Sequence, residues 1–391
     1  MALADRWLLP EGVKELLPPQ ARRVESLRRR IIDLYESWGY EQVMPPLMEH
    51  LDSLLTGVGR DLEMNTFKVT DQLSGHMLGV RADITPQVAR IDAHVLRSEG
   101  PSRLCYCASV LHARTAEPLA SRNPLQLGAE LYGHAGLESD LEVIVLMLTT
   151  LRSAGVAREL TLDLGHVDIF RGLMQQAGIG AEAEAEYMDI LARKALPELD
   201  KFLVALNADA RQLEILSRLP RLNGDRTVLD KARELFSDAS AEVLEAIDYL
   251  ALLADSVARR FPEVDLYFDL SELRGYAYHT GVVFAAFTPG RGQAIAKGGR
   301  YDAIGEDFGR ARPATGFSAD LKTLIDLSDE ELESGKLIEA PAGDDQSLLQ
   351  QIEELRAQGL RVVQKLPGSQ AAAGCTAELV QRDGAWVVVD L

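Results

Sequence analysis

Three features of the sequence carry residue types used in reactive or metal-binding chemistry, and local setting discounts each. Cys105-x-Cys107 lies in RLCYCASVL, which alternates like a strand, so both thiols point one way. A metal would need two further ligands at suitable spacing, and none is evident. The pair reads as two small buried apolar side chains, and with Cys375 alone elsewhere no disulfide framework follows. His166-x-Asp168 reads as a strand-end turn and helix cap ahead of IFRGLM, and not as a ligand pair. His50, His76, His94 and His134 show no i,i+4 pairing. No GxxxxGK(S/T) phosphate loop is present, and GRGQ at 290–293 reads as a hairpin turn. Neither a metal site nor a cofactor is expected.

The elements around these residues follow from apolar spacing. Val24, Leu27, Ile31, Leu34, Tyr35 and Trp38 form one stripe on a helix that Gly39 ends. YEQVMPPLMEH continues extended, broken by Pro45 and Pro46. TFKVT and HMLGVRADIT read as a hairpin about DQLSG, and a helix is expected from near Pro86 to Gly100. Strands follow at 103–111 and 125–133, then a helix from Leu137 to about Ser153. ELTLDLGHVDIF resembles a buried strand, residues 170–260 are almost wholly helical in pattern, and strands resume at 264–270 and 281–287. Strands joined mainly by hairpins, with helices set apart, predict an α+β fold on an antiparallel sheet flanked by helices. The expected division is a core over 1–325 with a helical insertion at about 170–260, an acidic linker over 326–345, and a small α/β segment over 346–391.

Charge narrows the function classes. Sixty acidic against 41 basic residues give a formal charge of −19. Nucleic-acid affinity rests on clustered Lys and Arg that release counterions. The one triplet, Arg28, Arg29 and Arg30, reads as the wet side of a helix. No apolar run reaches the roughly 18–20 residues of a membrane span. MALADRWLLPEG has acid and tryptophan where a signal peptide carries basic and then apolar segments, so a cytoplasmic location is expected.

Three longer stretches, in order, carry a family likeness. VRADITPQVARI (80–91) with RLCYCASVLHARTAEPLASRNPLQLGAELYG (103–133) resembles motif 2 of the class II aminoacyl-tRNA synthetase core. LRGYAYHTGVVF (273–284) resembles the histidine-recognition motif of histidyl-tRNA synthetase. KGGRYDAIG (297–305) and ATGFSADLK (314–322) resemble its glycine-rich turn and motif 3. The likeness covers roughly residues 5–325. It implies a class II fold and a pocket for histidine, whose ammonium needs two or three acceptors to offset its desolvation. Taken singly, Asp83 or Glu130 reads as a solvated surface carboxylate. By position in the motifs, Asp83, Thr85, Gln126 and Glu130 supply the ammonium's acceptors. Tyr278, His279, Tyr301 and Arg274 lie where the family holds the imidazole and carboxylate.

The same motifs lack the family's catalytic groups. Adenylate formation depends on cations at the α-phosphate. The motif 2 arginine and glutamate are replaced by His112 and Arg114, the motif 3 arginine by Thr323, and a small glycine by Asp320. Losing one such contact costs on the order of 3–4 kcal/mol, so no synthetase activity and no catalytic residue are expected. After residue 326 only 65 residues remain, which suggests an anticodon-binding domain cut to a remnant and no tRNA partner.

This combination resembles the regulatory subunit of ATP phosphoribosyltransferase, to which RGYAYHTG is closer than to the enzyme's RGLDYYTG. The resemblance implies the short-form catalytic subunit as partner, a hetero-oligomer, commonly an octamer, and the first step of histidine biosynthesis. It also implies a homodimer through WGYEQVMPPLMEH and L-histidine as feedback effector. The feedback site could instead lie at a subunit interface. A diverged histidine-activating enzyme and a histidine-binding scaffold with another client are the alternatives, separated by pyrophosphate exchange and by co-purification.

Overall fold

The computed structural model describes residues 7–57, 59–114, 121–156, 159–206, 208–271, 276, 278–328, 336–370 and 372–391. It divides into two compact units, 1–330 and 331–391.

The first unit begins with the helix Gln20–Ser37, whose stripe buries Val24, Leu27, Ile31, Ile32 and Tyr35. Gly39, at φ +80°, lets the Gly39 and Tyr40 amides donate back to the carbonyls of Glu36 and Tyr35, which closes the helix with a left-handed cap. The first strands are β1 (Glu41–Gln42), β2 (Met48–His50), β3 (Phe67–Thr70), β4 (Met77–Val80), β5 (Ser102–Ser109) and β6 (Leu125–Tyr132). Next come β7 (Thr161–His166), β8 (Asn223–Gly224), β9 (Asp265–Asp269), β10 (Val282–Phe287), β11 (Ala296–Arg300) and β12 (Ala314–Asp320). A nine-stranded sheet runs β1-β5-β6-β12-β11-β10-β7-β9-β8. Its pairs are antiparallel except β1 with β5 and β7 with β9. A small sheet, β2-β4-β3, stands apart.

The helices Gln20–Ser37 and Leu137–Ser153 cover one face of the large sheet. Val88 and Ala89 of the short helix Thr85–Arg90 pack against Leu104 and Tyr106 on the other. Tyr35 packs edge-on against Phe317, with ring centroids 6.2 Å apart. The helix Leu137–Ser153 is buried along most of its length and packs against β12. Between β7 and β9 the described residues are mostly helical, and β8 adds an edge strand through Asn223 and Gly224. His166 caps the helix Val167–Gln176, its Nδ1 accepting from the Asp168 amide at 3.3 Å, and burial lowers its pKa to about 4.

Two elements depart from the sequence reading. The helix expected to run to Gly100 is α-helical only over Thr85–Arg90, continues as a π-helical turn over Ile91–Leu96, and stops at Arg97 with φ +51°. Arg312 explains the change: it holds the buried Asp92 carboxylate at 3.0 Å and the Gly100 carbonyl at 2.5 Å, drawing the chain out of helical register. Val95 and Leu96 remain exposed, so no burial favours continuing the helix. The segment read as an acidic linker over 326–345 is also partly structured. The helix Leu321–Leu327 runs into it, and β13 (Leu337–Ala340) lies inside it.

In the second unit β13 is an interior strand of the sheet β14-β13-β15-β16, with β14 at Arg361–Gln364, β15 at Ala377–Arg382 and β16 at Ala385–Asp390. Ile338 and Ala340 join Leu348, Ile352 and Leu379 in its core beneath the helix Gln346–Ala357. A four-residue strand with only two buried side chains gave too short a pattern to outweigh the acidic composition around it.

Candidate functional site

Cross-strand register builds the site, because residues paired directly across a sheet share a face. Tyr106 pairs with Gly128, which pairs with Ser318, then Lys297, Ala285 and Asp163 in turn. The next row along the same face runs Leu104, Glu130, Gly316, Gly299, Val283 and Gly165. Small residues at Gly316, Gly299 and Gly165 leave a hollow beside Glu130, a cavity of about 110 Å³. A Cβ at Gly316 would fall onto Glu130 Oε2, one at Gly299 would meet the His279 ring at 2.7 Å, and one at Gly128 would clash with the Tyr106 hydroxyl. Glycine at these strand positions admits close approach.

Glu130 lies at the bottom, 1% exposed. Its Oε1 accepts from Thr85 Oγ1 at 3.1 Å and the Tyr106 hydroxyl at 2.9 Å, and its Oε2 accepts from the Tyr301 hydroxyl. Burial pushes its pKa up to about 8 despite these donors. Above it, Asp83 Oδ1 accepts from the Thr85 amide at 3.0 Å and from Gln126 Nε2 at 2.8 Å. Gln126 Oε1 in turn accepts from the Ile84 amide at 3.0 Å. Gln126 thus braces Asp83, its own oxygen being engaged by backbone. The segment is anchored from beneath by Arg81, which donates to the carbonyls of Ser109, at 2.9 Å, and Pro45, at 2.7 Å.

Of the residues singled out in the sequence, Asp83, Thr85, Glu130, Tyr278, His279 and Tyr301 line this cavity. Tyr278 is 44% exposed, with its ring 4.2 Å from that of the buried His279. Gln126 lines the adjoining larger cavity, and Arg274 lies outside the described residues. Three participants were not foreseen: Tyr106, Asp163 and Lys297. The glycine inside LQLGAEL was a signal for Tyr106, since glycine within a strand marks a close crossing. Nothing local to the sequence pointed to the other two.

The larger cavity, about 1050 Å³, shares Asp83, Lys297 and Ser318 with the smaller. His112, Asp320 and Thr323 line it. His112 Nε2 lies 3.1 Å from the Ala82 carbonyl oxygen, and Arg114 is exposed. Asp320 caps the helix Leu321–Leu327: Oδ1 accepts from the amides of Leu125 at 3.0 Å and Lys322 at 3.2 Å, and Oδ2 from Thr323 Oγ1 at 2.9 Å. Thr323, at the position the resemblance gives to the motif 3 arginine, and Asp320, at that of a small glycine, are thereby engaged in ending a strand and starting a helix. Among the described lining residues, Arg291 in the hairpin turn supplies the one guanidinium.

The glycine floor gives a direct test. Gly316→Ala is expected to lower stability by about 1–3 kcal/mol through overpacking, read as an earlier urea midpoint. An unchanged midpoint would mean that the Glu130 carboxylate is free to move aside.

The model of the histidyl-tRNA synthetase family matches residues 12–324, and that of the ATP phosphoribosyltransferase subunit HisZ C-terminal domain matches 335–389. The chain is 56% identical to the ATP phosphoribosyltransferase regulatory subunit of Thioalkalivibrio sulfidiphilus and 54% identical to that of Stutzerimonas stutzeri, with 100% of each chain covered. Among solved structures, an ATP phosphoribosyltransferase regulatory subunit/histidyl-tRNA synthetase from Bacillus halodurans superposes with a TM-score of 0.82 at 25% identity, covering 93% of this chain and 94% of that one. Histidyl-tRNA synthetase from a Nostoc species superposes at 0.79 with 19% identity, covering 98% and 97%, a likeness of fold.

Proposed function

The chain belongs to the family of ATP phosphoribosyltransferase regulatory subunits, built on a histidyl-tRNA-synthetase-like core, and from that premise we propose how it regulates. L-Histidine occupies the small cavity of the isolated chain and of its complex with the short-form catalytic subunit, and inhibits that complex as end-product feedback. The observation that carries this is the contrast between two neighbouring cavities. The smaller keeps a buried carboxylate with three hydroxyl donors beside a second, braced carboxylate. In the larger, Asp320 and Thr323 are occupied in capping a helix. A coupling of about 1–3 kcal/mol between effector and catalytic sites is enough for feedback.

The chain acts as a homodimer inside a hetero-octamer. Met44, Leu47, Met48, Val69 and Met77, gathered about the small sheet, are all exposed, and an apolar group of this kind favours burial against a second copy. The core, the 170–260 insertion and the C-terminal segment act as separate regions of one cytoplasmic subunit. Among the described residues no helix is long and apolar enough to cross a membrane. The acidic surface disfavours tRNA.

The test is reconstitution. Adding the chain to a short-form ATP phosphoribosyltransferase is expected to raise activity and to make it inhibitable by histidine, with calorimetry reporting histidine binding to the chain alone. Pyrophosphate exchange with ATP and histidine is expected to stay at background. Activity indifferent to the chain, or inhibition without any binding to it, would overturn the assignment of the pocket.

A further inference from the structure

The hydrogen-bonded cluster in the small cavity consists of acceptors and hydroxyls: Asp83, Thr85, Glu130 and Tyr301 offer a ligand's carboxylate no cation. Arg274 lies outside the described residues, among which Lys297 is the one Lys or Arg lining the cavity and supplies that cation. It stands on β11 between Ala285 of β10 and Ser318 of β12, on the face that carries Glu130 and Asp163. It lines both cavities, as Asp83 does, and so sits where they join. Its side chain is exposed and makes no ion pair among the described residues.

We propose that Lys297 binds the α-carboxylate of the effector and sets the pocket's selectivity for a zwitterion over a plain amine. The proposal rests on the pocket reading above. An α-amino acid carries ammonium and carboxylate on one carbon. With its ammonium at Asp83 and its side chain directed down to Glu130, in place of the ammonium role the motifs suggest for Glu130, its carboxylate emerges at the junction. Without a cation there, that carboxylate would face Asp83, Glu130 and Asp163, and the desolvated anion would be repelled. A lysine at the rim answers this need with a point charge that stays partly solvated, so its contribution is that of one charge-assisted hydrogen bond.

Calorimetry of the full-length chain with L-histidine and with histamine, which lacks the carboxylate, reads the contact directly. The unaltered chain is expected to prefer histidine by at least tenfold. Lys297→Met should weaken histidine about tenfold, leave histamine unchanged and so erase most of the preference, while Lys297→Arg should restore part of it. A Lys297→Met chain that keeps the full preference overturns the proposal and leaves the pocket reading intact. An unaltered chain that binds neither ligand overturns the pocket reading, and this proposal with it.

Discussion

Arg300→Met is expected to destabilise the first unit by about 3–5 kcal/mol, the range for removing one partner of a buried ion pair. Arg300 and Asp140 have side chains 7% and 0% exposed. The guanidinium grips the carboxylate twice, Nε to Oδ2 at 3.0 Å and Nη2 to Oδ1 at 2.9 Å. It also donates to Ser139 Oγ at 2.8 Å, to the His134 carbonyl at 3.2 Å and to Asp302 Oδ1 at 3.1 Å. Methionine fills the space without charge, leaving Asp140 in the interior with the Tyr249 hydroxyl as its remaining side-chain donor among the described residues. Coulomb attraction between the pair does not set the size of the loss. The stranded anion does, and Arg300→Met combined with Asp140→Asn should recover much of it. The effect should reach the pocket through Tyr301. Asp302 Oδ1 accepts from the Ala314 amide at 2.8 Å, and the Asp302 amide donates to Thr280 Oγ1 at 2.8 Å, so the turn carrying Tyr301 hangs on the same network. Urea unfolding measures the first claim, and a loss below 1 kcal/mol would refute it. Weakened histidine binding under native conditions measures the second.

What was legible in the sequence divides along the distance over which each signal acts. Local periodicity located the helices Gln20–Ser37 and Leu137–Ser153 and the strand Leu125–Tyr132, because burial of a stripe or face is decided by neighbours three, four or two residues away. The cap at His166 was legible for the same reason. The π-helical turn was not, since it depends on Arg312 reaching Asp92 from far along the chain. Neither was β13, whose partners Arg361–Gln364 and Ala377–Glu378 lie beyond any local pattern. The motifs brought Asp83, Thr85, Gln126, Glu130 and Tyr301 to attention, and the fold gathers them. Lys297 and Asp163 come beside them only through register across β7, β10, β11 and β12. Tyr106 was hidden between two cysteines that drew the chemical interest, although Cys105 and Cys107 point to the opposite face.

Glu130→Gln should flatten a pH dependence that the unaltered chain displays. Burial pushes the Glu130 carboxyl up to about 8, whereas in the unfolded chain it titrates near 4.3. Between those values the folded protein keeps a proton that the unfolded chain has lost, so this group's contribution to stability falls as pH rises. The slope approaches about 1.4 kcal/mol per pH unit in mid-range and fades below about pH 3 and above about pH 9. Glutamine cannot titrate, so the variant should lose that slope while still accepting from Thr85, Tyr106 or Tyr301. Ligand binding reads the same proton from the other side. Near pH 7 the empty pocket holds Glu130 mostly protonated. A bound imidazole that donates its N–H to the carboxylate favours the ionised form, so binding should expel close to one proton per site. Histidine affinity should therefore rise with pH up to about 8, and binding enthalpy should vary with the ionisation enthalpy of the buffer. In Glu130→Gln both trends should disappear along with most of the affinity. If the variant instead showed the same slope of stability and the same proton release, the titrating group would lie elsewhere, and Glu130 would be no more than a buried strut between three hydroxyls.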